Sequence, residues 1–442
     1  MILIRPVFRK YNFIDYPICR NTIRTVLLTT GYWLLATFYP LNLNLTLSLS
    51  FECLSFIYNT LMQETDRPYR IFLSAAEASG DRLCAKLIDA LKQTGRKFEF
   101  AGLGGQRMAD SGCEIILNTT HKAAMLYNVL GHLHFFFKAI KTAQKYFAAA
   151  KPDIVIVCDS PSFNFHIAKA ASKNNIKTLF YVAPQLWAWG PGRIEKLKKL
   201  CTAGMAAVLP FEPDWFGQKG MTCKFVGSPM LEDISPEQIT TKDYCRYSIN
   251  KANIALMPGS RKAEIKSLWP AMQHIARRLK ARHPAMKFTA VAADEAVAQL
   301  LRQTEIKTLR LNYEIDAVHK VAQNVDLALV ASGSATLQVA AAACPMAIMY
   351  QSNKFLWKLI GRRIVTTKYL SLVNILAQDE LVPEFMPYFD SIAPIVAVCE
   401  KYLNSPEKLT ALSEKLAQLT RPLAAGSASQ NTAQMVIESL EK

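Results

Sequence analysis

A chain of 442 residues is too long for one typical core, and with 51% hydrophobic residues it can fill two, which excludes a globally disordered protein. A formal net charge of +17 favours an anionic partner: a membrane surface, nucleic acid or a phosphorylated substrate. Ten cysteines contain no Cys-x-x-Cys pair; that spacing argues against a structural metal and for a reducing compartment.

Residues 1–61 differ in texture from the rest. Arg5, Arg9, Lys10, Arg20 and Arg24 precede a stretch, Thr25 to Phe51, without a charged residue. Pro40 and scattered Thr, Asn and Ser interrupt it, and Val26 to Tyr39 is shorter than the roughly 20 residues a bilayer span needs. A membrane anchor, a signal peptide with a long n-region, and upstream sequence translated from a misplaced start before Met62 all remain open. The segment is set aside from fold reasoning.

From Tyr69 strand and helix alternate. The apolar runs 70–74, 98–101, 154–158, 178–182, 206–209 and 223–226 read as strands, with helices at 81–94, 127–150 and 164–174 between them. Residues 229–252 are polar and aperiodic and read as a linker. The pattern then restarts with strands at 253–257, 287–292, 308–311, 327–331 and 346–350, the last of its set, and helices at 262–282, 294–303, 315–324 and 335–343. The tail, 405–442, reads as two helices divided near Arg421-Pro422. This predicts an α/β protein of two Rossmann-like doubly wound domains, 62–228 and 253–400, facing across a cleft. The closing helices, 401–442, are free either to stay with the second domain or to cross back to the first.

The candidate chemistry falls at the carboxyl ends of these strands. In Leu256-Met257-Pro258-Gly259-Ser260-Arg261 a buried strand stops and opens into a helix. Backbone N–H groups of Gly259 and Ser260, the helix dipole and the Arg261 guanidinium suit a diphosphate; an ordinary turn with a surface Arg is the plainer reading. Ser332-Gly333-Ser334-Ala335-Thr336 is a second small-residue turn into a helix and a second phosphate contact in the same half. Asp159, directly after 154–158, suits a general base, a substrate-orienting group or a helix cap. Glu77, Ser79 and Asp81 end the first strand in the same manner, with Asp81 the better cap. Gly102-Leu103-Gly104-Gly105 lacks a dinucleotide fingerprint and reads as a tight turn. Trp187-Ala188-Trp189 sits beside a basic helix (Arg193, Lys196, Lys198, Lys199), and Tyr127 with His132 to Phe137 stands beside Lys138 and Lys141. Both patches suit a membrane interface or an acyl-chain slot; for Phe135 to Phe137 a buried helix face is the alternative. The seven His show no metal-ligand spacing, and Walker A, Gly-x-Ser-x-Gly and Cys-His arrangements are lacking.

These residues also resemble a known family. From Met62 onward the chain resembles the lipid-A-disaccharide synthases, inverting glycosyltransferases of the glycosyltransferase-B fold. The resemblance is carried by Ala76-Glu77-Ala78-Ser79-Gly80-Asp81, Cys158-Asp159-Ser160-Pro161-Ser162-Phe163-Asn164, the 181–189 segment through Trp187-Ala188-Trp189, Leu209-Pro210-Phe211-Glu212, Pro258-Gly259-Ser260-Arg261, Ser332 to Leu337 and Tyr369 to Leu376.

It implies transfer of 2,3-diacylglucosamine from UDP-2,3-diacylglucosamine to the 6-hydroxyl of 2,3-diacylglucosamine 1-phosphate, giving a β-1,6-linked disaccharide 1-phosphate and UDP. The transfer is expected to need neither metal nor cofactor. In that picture Asp159 takes the acceptor proton and Arg261 with 332–334 holds the diphosphate. Gln338 faces the ribose and Asn374 lies near the nucleotide, while Glu77, Ser79, Asp81, Trp187 and Trp189 line the acceptor and lipid side. The setting is cytoplasmic, peripheral on the inner face of the bacterial inner membrane and against its anionic surface, with no nucleic acid partner and a homodimer left open.

Three positions depart from the family pattern. Gln338 stands for a usual Glu and lacks charge assistance, Ser228 for a His, and Asn128 for a Glu. Two other readings stay beside this one: another UDP-sugar enzyme of the fold (peptidoglycan N-acetylglucosaminyl transferase or UDP-N-acetylglucosamine 2-epimerase), or a decayed sugar-lipid binding protein.

Overall fold

The computed structural model describes residues 67–442 except 121–128, 189, 246, 353, 355–356, 358–364, 366 and 442. Residues 1–61, Tyr127, Asn128 and Trp189, each singled out above, lie outside the described residues.

Two all-parallel sheets carry the chain. The first contains β1 (Tyr69–Ala75), β2 (Phe98–Gly104), β3 (Glu114–Asn118), β4 (Ile154–Cys158), β5 (Lys177–Tyr181), β6 (Met205–Ala207) and β7 (Cys223–Phe225). Its order is β3-β2-β1-β4-β5-β6-β7. The second contains β8 (Asn253–Met257), β9 (Lys287–Ala292), β10 (Asn312–Ile315), β11 (Leu327–Ala331), β12 (Met346–Met349) and β13 (Glu384–Phe385), in the order β10-β9-β8-β11-β12-β13. Each order reverses once, between β1 and β4 and between β8 and β11. Doubly wound sheets open a ligand crevice at that point, outside the carboxyl ends of the strands.

The central strands are apolar throughout because helices cover both faces. All five residues of β4 and of β11 are buried. The covering helices of the first half are α1 (Ala78–Gln93), α2 (Gln106–Asp110), α3 (Val129–Ala150), α4 (Pro161–Lys173), α5 (Ile194–Leu200) and α6 (Glu212–Gly217). Those of the second are α7 (Lys262–Arg282), α8 (Glu295–Gln303), α9 (Val318–Gln323), α10 (Ala335–Ala341), α11 (Leu372–Ala377) and α12 (Ala393–Leu403), followed by α13 (Pro406–Thr420). On α3, Phe135, Ala139, Ala143 and Phe147 recur every four residues and are buried as one stripe.

The last helix, α14 (Ala428–Leu440), crosses back to the first half. Ala428, Ala433, Val436 and Ile437 join the core formed by β1, β4 and α1. Lys177 Nζ donates to the Ser439 carbonyl at 2.8 Å, and Lys224 pairs with Glu438 at 2.7 Å.

Some expectations are corrected. Gly102, Leu103 and Gly104 belong to β2 rather than to a tight turn. A Cβ on Gly102 would come within 2.3 Å of the Leu73 carbonyl, so the glycine serves close approach of β1 to β2. The strand expected at 308–311 lies at 312–315, and 346–350 is not the last of its sheet. Strands β3 and β13 and helices α2, α6, α11 and α12 are absent from the expected pattern. β3 and β10 are edge strands with largely half-buried or exposed residues; β10 has no apolar run, and that of β3 is only the three residues Ile115 to Leu117 between Glu114 and Asn118. Among the described residues no helix is long and apolar enough to cross a membrane.

Candidate active site at the paired switch points

The four strands that flank the two reversals, β1, β4, β8 and β11, are followed by 76–81, 159–160, 258–261 and 332–336. All four motifs of the sequence therefore converge on the two crevices.

After β4 the chain makes a strained elbow. Asp159 and Ser160 both adopt left-handed backbone angles, φ 51° and 42°. For non-glycine residues that costs about 1–3 kcal/mol each. Asn164, fully buried on the first turn of α4, holds the elbow in place. Its Nδ2 donates to the Cys158 and Asp159 carbonyls at 2.8 and 2.7 Å, and its Oδ1 accepts from Ser74 Oγ at 2.8 Å. One amide thus ties the ends of β1 and β4 to the turn. Residue spacing assigns Asn164 no role; the available signal is one polar residue among the apolar positions, Phe163, Phe165, Ile167 and Ala168, that α4 buries.

With the elbow so held, Asp159 does not cap α4, and its carboxyl stays reachable by solvent. Surrounding protein displaces much of the bulk water and pushes its pKa up, and the charge of Glu77 pushes it further. The Ser160 N–H and the charge of Arg261 pull it down. A carboxylate held above its ordinary range is suited to accept a proton.

Arg261 reaches across from the other half. It is 68% exposed, and its guanidinium forks between Glu77 Oε2 and Glu264 Oε1, each at 3.2 Å. The expected free donors at the start of α7 need one amendment. Glu264 turns back to accept the Arg261 N–H at 3.4 Å, so this helix end already faces a carboxylate. Gly259 makes that possible: its φ is +98°, and a Cβ there would come within 2.6 Å of Glu264 Oε2. Ser260 is exposed beside it.

At the second turn Gly333 and Ser334 are exposed, and their N–H groups donate to no acceptor among the described residues. Thr336 is buried and bonds the Gly333 carbonyl through Oγ1 at 2.7 Å, which shapes the turn and leads into Ala335 and α10. Gln338, one turn along, is half-buried, and its carbonyl accepts from His319 at 3.1 Å.

The remaining candidates take other places. Asp81 is buried, and its carboxylate accepts from the N–H groups of Gly105, Arg107 and Met108 at 2.6, 3.1 and 3.3 Å. It caps α2 rather than its own helix. Ser79 is half-buried near the start of α1. Asn374 is fully buried and spends its amide on Val382 and Glu384, locking the 382–384 segment onto α11. Ser228 is buried where the chain leaves the first half, its N–H bonded to the Leu423 carbonyl at 3.3 Å. Trp187 is nearly buried and donates Nε1 to Glu212 at 3.0 Å. Burial pushes the Glu212 carboxyl up to about 7, against the pull of three N–H bonds.

The aromatic patch on α3 divides. Phe135 is buried, whereas Phe136 and Phe137 are 38% and 63% exposed, with Phe136 against the ring of Phe163. Among the described residues no group of three His, Cys, Asp or Glu side chains converges as a metal ligand set would.

Residues 71–437 match the family model described as lipid-A-disaccharide synthetase. The lipid-A-disaccharide synthase of Geobacter metallireducens is 30% identical over 377 residues, covering 84% of this chain and 98% of its own. That of Trichlorobacter lovleyi is 31% identical over 385 residues, covering 85% and 99%. Among solved structures, the UDP-N-acetylglucosamine 2-epimerase of Neisseria meningitidis, bound to UDP-N-acetylglucosamine, superposes with a TM-score of 0.55. That match covers 84% of this chain and all of the other at 10% identity, a likeness of fold alone.

Proposed function

The chain belongs to the lipid-A-disaccharide synthase family, and from that premise we propose how its own residues carry the transfer. It is a glycosyltransferase of the B-type fold, acting on a UDP-sugar donor and a lipid-linked glucosamine phosphate acceptor. The donor is UDP-2,3-diacylglucosamine and the acceptor 2,3-diacylglucosamine 1-phosphate.

The acceptor 6-hydroxyl attacks the anomeric carbon of the donor. Its proton passes to Asp159 while the bond from that carbon to the diphosphate oxygen breaks. UDP leaves carrying the electron pair, and one in-line displacement inverts the anomeric centre. The observation that carries this reading is that Arg261 of the second half reaches across the paired switch points to Glu77 of the first, close enough for both charges to act on the Asp159 carboxyl. Arg261 and the open N–H groups of Gly333 and Ser334 face the charge that develops on the diphosphate. For Arg261 to turn to phosphate it exchanges one carboxylate, Glu77, for another anion.

Phe136 and Phe137, beside Lys138, Lys141 and Lys145, form an amphipathic face suited to an anionic bilayer from which diacylated substrates are drawn. The reading is tested by incubating the protein with donor and acceptor in anionic mixed micelles. Disaccharide 1-phosphate and UDP should appear in equal amounts; UDP-diacylglucosamine left intact would refute it. Loss of binding to anionic vesicles in Phe136→Ser/Phe137→Ser would support the membrane face, and unchanged binding would remove it.

A further inference from the structure

Away from the reacting centre, the loops of the two halves meet in an apolar cluster. Trp187, Leu209 and Phe211 stand on one side; Leu372, Ile375 and Leu376 on the other. Trp187 and Phe211 pack edge to face with ring centroids 5.0 Å apart. The second face leans on the core of its own half through Leu372, Val373 and Leu376. α6 and α11 have six residues each, and the rest is loop.

Each face is also held by one carboxylate that accepts three N–H bonds. Glu212, fully buried, accepts from Trp187 Nε1 at 3.0 Å and from the Val208 and Leu209 N–H groups at 3.1 Å. Glu384 accepts from the Leu370 N–H at 3.0 Å, the Ser371 N–H at 3.1 Å and Asn374 Nδ2 at 3.0 Å. Burying a carboxylate is expensive, and an apolar side chain would fill either space more cheaply. What the carboxylate adds is direction: three donors converge on it and fix the loop that carries them.

We propose that Glu212 and Glu384 are positioning residues that brace the two faces of an interdomain joint, and that this joint sets how the halves close over donor and acceptor. Glu212 acts through Trp187 and Phe211, and Glu384 through α11. Neither touches a reacting atom. The inference rests on the transferase reading for its kinetic consequence, although the joint itself is a property of the fold.

The test combines Glu212→Gln with Ile375→Ser. Gln keeps the size of Glu212 but turns an NH2 group toward backbone donors. Ile375 is half-buried and outside the main cores, so its loss leaves the second half folded. Each substitution should lower kcat/KM by roughly tenfold, as expected when reacting groups are misplaced. The double variant should fall no further than the worse single one, because both break the same joint. Fully multiplicative losses, or an unaffected Ile375→Ser, overturn the proposal.

Hydrogen exchange supplies a readout that needs no turnover. Glu212→Gln, a change in the first half, should speed exchange of the 372–377 amides while leaving β8 protected. Unchanged exchange at 372–377 overturns the joint. An inactive wild type with faster exchange at 372–377 refutes the transferase reading and leaves the joint standing.

Discussion

The β1/β4 edge and the β8/β11 edge share one topology, yet the first ends in carboxylates and the second in a guanidinium and small residues. Glu77, Asp81 and Asp159 follow β1 and β4; Gly259, Ser260, Arg261 and the 332–336 turn follow β8 and β11. A doubly wound sheet positions whatever lies at its switch point and is indifferent to its chemistry. The difference lies in the turn residues. The acidic edge holds a carboxyl above its ordinary pKa; the basic edge offers donors to an anion. Where they meet, Arg261 bonds Glu77.

Within the acidic edge a second contrast is as instructive. Asp81 and Asp159 both follow strands, but Asp81 is saturated by three backbone N–H groups and Asp159 is not. Only an unsaturated carboxylate is free to take a proton from substrate.

The largest effect should come from breaking the acidic edge. Asp159→Asn is expected to lower turnover by about a thousandfold, the range for removing a general base, with UDP affinity by calorimetry unchanged. Turnover near the wild-type rate would remove the base from Asp159. Next, Arg261→Ala should lower kcat/KM by about a hundredfold, typical of losing one electrostatic donor to a developing charge. It should also move the acid limb of the pH–rate profile upward. Arg261 pulls the Asp159 pKa down, so without it the base stays protonated to higher pH. Glu77→Gln should move the limb the other way, since Glu77 pushes that pKa up. A limb that stays put in both variants would separate Asp159 from the titration.

Asp81→Asn sharpens the inner contrast. It should destabilise the protein by roughly 1–3 kcal/mol, the penalty for donors left without an acceptor, and lower Tm in a thermal melt. Specific activity of the folded fraction should change little; a loss as large as that of Asp159→Asn would mean the two carboxylates are not distinct. The smallest effect concerns the basic edge. Gln338→Glu should tighten UDP-sugar binding by about threefold to tenfold, because a charge-assisted hydrogen bond is roughly twice as strong as a neutral one. Weaker binding would place Gln338 away from the ribose.

Much of this was legible from residues alone. The bounds of β8, β9, β11 and α7 match their apolar periodicity, since a strand covered on both faces and a helix covered on one carry that pattern locally. The turns at 258–261 and 332–336 were legible because Pro, Gly and Ser at the end of such a run mark where a strand stops. Edge strands β3 and β13 carried no such mark. Nor could Glu212 be read: one Glu after Pro-Phe looks like any surface acid until the Trp187 indole is seen bonded to it.

By itself the sequence determined the fold class, the two α/β halves and the four turns at their switch points, because alternating buried strands and amphipathic helices are properties of neighbouring residues. Only the tertiary structure decided what each polar side chain does there. Arg261 and Glu77 are 184 residues apart, and Asp81 lies 24 from its nearest acceptor-seeking N–H. A carboxylate becomes a cap, a brace or a base according to which donors the fold brings to it, and the decisive ones come from beyond its own turn.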